Sequence, residues 1–147
     1  MIYILYGQPG SGKTTLSQLL CTHIRHQFDG NEAVIIDGDK FREIFKQTDY
    51  SEKGRENNIR AANTVATYIS KVNNLDVILA LVNPYKHLRD ALRVNNSQVI
   101  EILLESDRDL RREYHVENFE IGEPDHIVNT DSPPDDTWSL LKDILHL

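Results

Sequence analysis

The chain has 147 residues, of which 39% are hydrophobic and 27% charged, and its 16 basic against 23 acidic side chains give a net charge of −7. The length predicts one domain, 1–147, with a single hydrophobic core. An acidic balance speaks against an extended nucleic-acid surface, because nucleic-acid binding relies on basic side chains. No apolar run approaches the roughly 18 residues of a membrane-spanning helix, so no membrane partner is predicted. One cysteine, Cys21, excludes an internal disulfide, and the first residues lack the pattern of a secretory signal, so we expect a cytoplasmic protein.

Short apolar runs alternate with helical patterns along the chain. The apolar runs predict five buried strands, at 2–6, 33–36, 77–82, 99–104 and 126–129. The helical patterns predict helices at 13–28, around 41–45, at 52–73, from Pro84 onward, a polar helix at about 106–114, and a closing helix around 138–145. This alternation predicts an α/β fold, a five-stranded mostly parallel sheet with helices on both faces. Ligands of such sheets bind at the carboxyl ends of the strands.

The first predicted strand is followed by the run GQPGSGKT, which matches the phosphate-loop pattern GxxxxGK[ST]. A glycine-rich turn with an incidental Lys-Thr pair is the alternative, but the strand before the run and the helix after it favour the phosphate loop. The loop predicts ATP binding, with Lys13 reaching the β- and γ-phosphates and the Thr14 hydroxyl ligating Mg²⁺. The predicted nucleotide-binding residues are Gly7, Gln8, Pro9, Gly10, Ser11, Gly12, Lys13, Thr14 and Thr15. Because the GTPase motif NKxD is absent, a kinase is favoured over a switch protein.

Two carboxylates follow the second predicted strand, in the run Asp37-Gly38-Asp39. At the carboxyl end of a strand they face the phosphate loop, where one of them can accept a hydroxyl proton or hold a water of Mg²⁺. Arg42 stands three residues further on and can pair with an anion on the acceptor. A turn that caps the next helix is the alternative interpretation of the same residues.

The start of the long third helix carries polar residues on one face. Arg55 and Asn58 are three residues apart, so they share that face. From the pattern alone, a solvated polar surface explains them as well as a binding site does.

Together these motifs resemble the adenylylsulfate (APS) kinase family of P-loop kinases, which phosphorylate the 3′-hydroxyl of adenosine 5′-phosphosulfate. That family carries DGDxxR, then FSxxxRxxNIRR, then an ISPY-type strand end. This chain has the corresponding residues at 37–42, 50–60 and 82–85, in the same order and at the same spacing across roughly residues 1 to 95.

The resemblance implies a set of roles. ATP and Mg²⁺ are the implied cofactors, and Lys13, Asp37 and Asp39 are the implied catalytic residues, with Asp39 as proton acceptor or ligand of a metal-bound water. The implied acceptor-binding residues are Asp39, Arg42, Tyr50, Arg55, Asn58, Asn83 and Pro84. A small-molecule acceptor, APS, is the implied partner, and a homodimer is open.

The chain departs from the family pattern in three places. Asn83 stands where the family has Ser, and Ala61 stands where it has a second Arg. The family's RDxKGLYxKAR lid has no full match, so a shortened lid is expected. The predicted lid residues are Arg108, Arg111, Arg112 and Phe119. A solvated charged helix and an aromatic residue packed on the core are the alternatives for them.

Three hypotheses follow from the sequence. The first is an ATP-dependent kinase acting on the 3′-hydroxyl of APS. The second is a nucleoside or polynucleotide 5′-hydroxyl kinase on the same core. The third is a nucleotide-binding protein without transfer activity.

Overall fold

The computed structural model describes residues 1–27, 32–109 and 111–147. In these ranges five strands form one sheet: β1 (Ile2–Tyr6), β2 (Ala33–Asp37), β3 (Asp76–Leu81), β4 (Val99–Glu105) and β5 (His126–Asn129). The strand order is β2-β3-β1-β4-β5, and every neighbouring pair is parallel. The predicted five-stranded parallel sheet is therefore confirmed. Its central strand, β1, is buried throughout and leads directly into the phosphate loop.

Five α-helices cover the two faces of the sheet: α1 (Lys13–Gln27), α2 (Gly38–Ile44), α3 (Glu52–Val72), α4 (Lys86–Asn95) and α5 (Pro134–Leu145). On one face, α3 and α4 contribute Ile59, Ala62, Leu88 and Leu92 to an apolar cluster. On the other face, α1 and α5 contribute Leu16, Leu20 and Leu141 to a second cluster. The prediction of helices on both faces is confirmed, because each helix buries one apolar side against the sheet.

One predicted helix start is corrected, and one predicted helix end lies outside the described residues. Helix α4 begins at Lys86, not at Pro84; Tyr85 has extended backbone and precedes the helix, while the Pro84 carbonyl accepts a hydrogen bond from the Glu120 amide at 2.9 Å. The end of the helix predicted at 13–28 is seen as far as Gln27, and Phe28 lies outside the described residues.

The polar helix predicted at about 106–114 is wrong. The structure has only a 3₁₀ turn at Arg112–Tyr114, and Leu110 lies outside the described residues. The segment is held instead by side chains: Ser106 Oγ donates to Asp131 Oδ1 at 2.7 Å, and the Asp107 amide donates to the same oxygen at 3.1 Å. Charged residues with helical spacing do not make a helix when they have no apolar face to bury.

Several predicted site residues lie at the carboxyl ends of β1, β2 and β3. Gly7 follows β1, Gly38 and Asp39 follow β2, and Asn83 comes shortly after β3. In the described part of the chain, none of the helices is long and apolar enough to span a membrane.

Candidate active site

The loop between β1 and α1 needs glycine at several positions. Gly10 and Gly12 have φ of 84° and 94°, in the region that side chains other than glycine rarely adopt. A Cβ atom on Gly7 would lie 2.5 Å from the carbonyl oxygen of Leu104, so the loop also passes too close to β4 for any side chain. Folded in this way, the loop places its backbone amides at the amino end of α1, where the helix dipole favours an anion.

Lys13 is turned onto this loop. Its Nζ donates to the carbonyls of Gly7 and Gln8 at 3.0 and 2.9 Å and to Ser11 Oγ at 3.3 Å. Burial lowers the pKa of Lys13 to about 8; Asp39 and Asp37 oppose the shift, and Arg111 adds to it. The positive charge of the ammonium group is therefore poorly compensated by its surroundings, so the binding of an anion beside it is favourable.

Thr14 and Asp37 contact each other across the amino ends of α1 and α2. The Thr14 hydroxyl donates to Asp37 Oδ2 at 2.9 Å. Asp37 Oδ1 accepts from the amides of Asp39 and Lys40 at 3.1 and 3.4 Å, so Asp37 also caps α2. The interpretation of this residue as a helix cap is thus correct, and Asp37 also lies beside the phosphate loop through its contact with Thr14.

The oxygens at this corner fit Mg²⁺, which prefers hydroxyl, carboxylate, phosphate and water oxygen as ligands. Among the described residues there is no group of three His, Cys, Asp or Glu side chains that could hold a metal by themselves. Thr14 and the nearby carboxylates would therefore hold the ion together with the phosphates and water.

Asp39 has different surroundings from Asp37. It is exposed, and its carboxylate accepts no hydrogen bond from the residues that the structure describes. It is nevertheless close enough to Lys13 to oppose the fall in the pKa of that residue more than any other carboxylate does. A carboxylate that is uncommitted and near the phosphate loop is available to a substrate hydroxyl.

Arg42 and Tyr50, both predicted acceptor residues, are brought together. The guanidinium of Arg42 lies over the Tyr50 ring, 4.2 Å from its centre, and donates to the carbonyls of Gln47 and Asp49 at 3.4 and 3.0 Å. The ring is 62% exposed. The pair forms a cationic and aromatic surface beside the α2–α3 connection.

The first turns of α3 carry Arg55 and Asn58. The Ser51 hydroxyl caps the helix by accepting from the Gly54 amide at 3.2 Å. The Arg55 side chain is half-buried and has no hydrogen bond or ion pair with a described residue. Asn58 is buried, and its Oδ1 likewise has no partner in the described ranges. The Arg55 side chain is therefore free to bind a ligand, whereas Oδ1 of Asn58 is enclosed by the protein.

The segment after β3 is held by a buried arginine, Arg89, for which the sequence predicted no role. Arg89 is fully buried and donates to the carbonyl of Asn83 at 2.6 Å and to those of Glu120 and Ile121 at 2.6 and 3.0 Å. Its guanidinium lies over the Tyr6 ring, and its Nε is 3.4 Å from Glu101 Oε2. Asn83 and Pro84 are both buried.

The predicted lid residues have different surroundings in the structure. Arg111 is near enough to Lys13 to lower its pKa, so this cation lies on the phosphate-loop side. Arg108 bonds Ser106 Oγ and Thr130 Oγ1 at 3.0 and 3.2 Å. Arg112 pairs with Asp109 on the surface, as the interpretation of a solvated charged segment predicts. Phe119 is stacked on Tyr6 with ring centres 6.1 Å apart, which agrees with an aromatic residue packed on the core.

Two contacts of the phosphate loop with distant segments were missed by the sequence analysis. The side-chain amide of Gln8 donates from Nε2 to the Val116 backbone carbonyl at 2.9 Å, and its Oε1 accepts from the Val116 backbone amide at 2.8 Å. The Thr130 hydroxyl donates to the Ser11 carbonyl at 2.7 Å. Thr130 directly follows β5, so the expectation that ligands bind at the carboxyl ends of the strands could have singled it out. No local sequence pattern indicates the Gln8 contact.

A family model described as adenylylsulphate kinase matches residues 1–118 of the chain. The chain belongs to the adenylylsulphate kinase family. The match extends beyond the motifs at 7–14, 37–42, 50–60 and 82–85 and includes the segment of Arg108, Arg111 and Arg112.

Curated relatives agree with this assignment. An adenylyl-sulfate kinase of Rippkaea orientalis is 30% identical over 101 residues, which are 68% of this chain and 54% of the relative. A probable adenylyl-sulfate kinase of Pseudomonas aeruginosa is 31% identical over 101 residues, 68% of this chain and 46% of the relative. The chain thus spans about half the length of these relatives.

Solved structures share the fold. An APS kinase of Mycobacterium tuberculosis in complex with AMPPNP and APS superposes with a TM-score of 0.82 at 19% identity, over 99% of this chain and 97% of that one. A gluconokinase of Sinorhizobium meliloti superposes with a TM-score of 0.69 at 15% identity, over 98% of this chain and 90% of that one. Fold similarity therefore extends to kinases of other names.

Proposed function

We propose that the protein transfers the γ-phosphoryl group of ATP to the 3′-hydroxyl of adenosine 5′-phosphosulfate. The observation that carries the proposal is that the phosphate loop with Lys13 and the free carboxylate of Asp39 lie together at the carboxyl ends of β1 and β2. The acceptor residues that the family pattern implies follow directly along the chain, on α2 and α3. Family membership supports this acceptor among those that a P-loop kinase can use.

The ATP half of the proposed site is the loop from Gly7 to Thr15. Backbone amides and Lys13 hold the phosphates. When ATP binds, the Lys13 ammonium moves its hydrogen bonds from the carbonyls of Gly7 and Gln8 to phosphate oxygens, whose negative charge compensates that of the ammonium. Thr14, with Asp37 beside it and Asp39 through water, would hold Mg²⁺. When bound, that ion neutralises charge that develops on the phosphates.

The acceptor half is the surface formed by Asp39, Arg42, Tyr50, Arg55, Asn58, Asn83 and Pro84. Arg42 and Arg55 bind the phosphosulfate anion, and Tyr50 stacks on the base. The 3′-oxygen attacks the γ-phosphorus, the bond from that phosphorus to the β–γ bridging oxygen breaks, and ADP leaves. Asp39 orients the hydroxyl and accepts its proton, which then passes to water.

The proposed setting is the cytoplasm, with a small-molecule acceptor and no nucleic acid or membrane. A homodimer stays a prediction. Light scattering of the purified chain measures the mass in solution, where one chain is 16.9 kDa.

Phosphate transfer from γ-labelled ATP with Mg²⁺ tests the proposed activity. APS, a nucleoside panel and a 5′-hydroxyl oligonucleotide are compared as acceptors, with Lys13→Ala as the control for contaminating kinases. We expect label on APS that depends on Lys13. Label on a nucleoside or oligonucleotide alone, or none with ATP still bound, would replace the proposal by the second or third hypothesis.

A further inference from the structure

Thr130 connects the end of the sheet to the phosphate loop. It follows β5 directly and is 4% exposed, and its amide donates to the Glu105 carbonyl at 2.8 Å, so the β4–β5 pairing fixes its backbone. Its hydroxyl donates to the Ser11 carbonyl at 2.7 Å. Its side chain also lies beside Gly12, where an added Cβ atom would be 3.7 Å from the Thr130 Cβ. A side chain 119 positions away in sequence therefore holds one carbonyl of the loop.

A third group determines the direction of this hydrogen bond. Arg108 Nη2 lies 3.2 Å from Thr130 Oγ1, and because a guanidinium can only donate, the hydroxyl oxygen accepts there. The single hydroxyl hydrogen is then left for a carbonyl. The Glu105 carbonyl is 3.3 Å away and already accepts from the Thr130 amide, whereas the Ser11 carbonyl is 2.7 Å away. The hydroxyl hydrogen therefore points at Ser11.

Fixing the Ser11 carbonyl also fixes the amide of Gly12. The peptide bond between the two residues is planar and trans, so its C=O and N–H groups point in opposite directions. Because the carbonyl is turned towards Thr130, the Gly12 N–H is turned away from it. This N–H donates to no acceptor in the part of the chain that the structure describes. A free amide in a glycine-rich loop before a helix is a group that binds phosphate.

We propose that Thr130 is a positioning residue for the phosphates of ATP, whose hydroxyl orients the Ser11–Gly12 peptide so that the Gly12 amide donates to a phosphate oxygen. The inference rests on the ATP half of the proposed function and is independent of the acceptor. Thr130 acts through the peptide and needs no contact with the nucleotide. Without the hydroxyl, the Ser11 carbonyl loses its donor and the peptide is free to turn, so the phosphates lose a hydrogen bond that was oriented in advance.

The binding of ADP to matched variants tests this role, because ADP reaches the phosphate loop whether or not APS is the acceptor. Thr130→Val removes the hydroxyl and keeps a similar shape, whereas Thr130→Ser keeps the hydroxyl. Isothermal titration calorimetry with Mg²⁺ should give a Kd for ADP that is about tenfold or more higher in Thr130→Val, since hydrogen bonds to charged groups are among the stronger ones. The Kd of Thr130→Ser should stay within about threefold of the wild-type value.

Thr137 supplies the matched control. It is also a threonine with 4% exposure, and its Oγ1 lies 3.3 Å from the carbonyls of Ser132 and Pro133 at the start of α5. Thr137→Val makes the same chemical change at a site that does not contact the phosphate loop. It should therefore leave the Kd for ADP unchanged, even where it lowers the Tm.

NMR of protein labelled with ¹⁵N-glycine reports on the Gly12 amide directly, and the chain has only 7 glycines to resolve. When ADP binds, the Gly12 amide proton should move downfield in the wild type and in Thr130→Ser, because it gains a phosphate acceptor. It should move clearly less in Thr130→Val. A general loss of stability would not single out this resonance.

The possible outcomes separate this inference from the proposed acceptor. A wild-type affinity for ADP in Thr130→Val, or equal losses in the two Thr130 variants, would overturn the role of the hydroxyl. A loss in Thr137→Val as large as that in Thr130→Val would overturn it as well. A wild type that binds no ADP overturns this role together with the ATP half of the proposed function. ADP binding that depends on the Thr130 hydroxyl, without phosphorylation of APS, supports the role of Thr130 and overturns only the acceptor.

Discussion

Asp37 and Asp39 are two residues apart, and their carboxylates have different surroundings. Asp37 accepts three hydrogen bonds, from the Thr14 hydroxyl and from two amides of α2. Asp39 accepts none from a described residue and influences Lys13 through charge alone. The geometry therefore favours Asp37 as the residue that holds the site together and Asp39 as the proton acceptor.

Substitution of each aspartate by alanine separates these roles. Asp37→Ala should lower the free energy of unfolding by about 1 kcal/mol, because α2 loses its N-cap. Asp39→Ala should leave unfolding unchanged but lower kcat by about 10²–10⁴-fold with little change in the KM for ATP. Urea unfolding and steady-state kinetics measure both. A wild-type kcat in Asp39→Ala would shift the proton acceptor to Asp37.

Lys13 should make the stability of the ligand-free protein depend on pH. Its pKa falls from 10.5 in the unfolded chain to about 8 in the folded protein. Between these two pH values the unfolded chain binds more protons than the folded protein, so the free energy of unfolding rises with pH. Below pH 8 the folded protein carries the full cost of burying the charged ammonium.

Lys13→Met provides the comparison, because it removes the titrating group and keeps the length of the side chain. The Tm of the wild type should rise relative to that of Lys13→Met as the pH is raised from about 7 to about 9.5. Differential scanning calorimetry without nucleotide measures the difference. Parallel pH profiles for the two proteins would show that Lys13 keeps its ordinary pKa.

Among the structural elements, the segment from Arg111 to Val116 is tied to the phosphate loop by one side chain. Gln8 exchanges two hydrogen bonds with the backbone of Val116, as a neighbouring strand would. Arg111 in this segment contributes to the field at Lys13. The contact therefore couples the predicted lid to the residues that are proposed to hold the phosphates.

Removal of the Gln8 amide should loosen this segment. In Gln8→Ala, hydrogen exchange at the Val116 amide should be about tenfold faster or more, since each lost hydrogen bond is worth about 1 kcal/mol. The KM for ATP should rise as well. Gln98→Ala, an exposed glutamine at the opposite edge of the sheet, serves as the control. Equal exchange rates in both variants would mean that Val116 is protected by other contacts.

The connection from β3 to α4 depends on Arg89, which binds three backbone carbonyls and Glu101. Arg89→Met should lower the free energy of unfolding by about 3–5 kcal/mol, because the buried Glu101 loses a cation and three carbonyls lose a donor. Arg93 also bonds Glu101, at 2.7 Å, but is partly exposed. Arg93→Met should therefore cost less in urea unfolding; equal losses would refute the special role of Arg89.

At the scale of the whole molecule, apolar runs predicted the strands because a parallel sheet with two covered faces needs strands that are apolar throughout. The phosphate loop and the Asp37–Arg42 motif were predictable because each is local in sequence. The contacts of Gln8 with Val116 and of Arg89 with Glu120 were not predictable. Each joins two residues that are far apart in sequence, by 108 positions in the first contact and by 31 in the second. The false helix at 106–114 arose from charge spacing without an apolar face to bury.

Together, these elements are proposed to make a kinase for the 3′-hydroxyl of APS. ³¹P and ¹H NMR of the product from unlabelled ATP and APS test it most directly, because they identify the carbon that carries the new phosphate. We expect a phosphomonoester coupled to the ribose H3′, with the 5′-phosphosulfate intact. A phosphate at any other position, or ADP formed with APS unchanged, would contradict it.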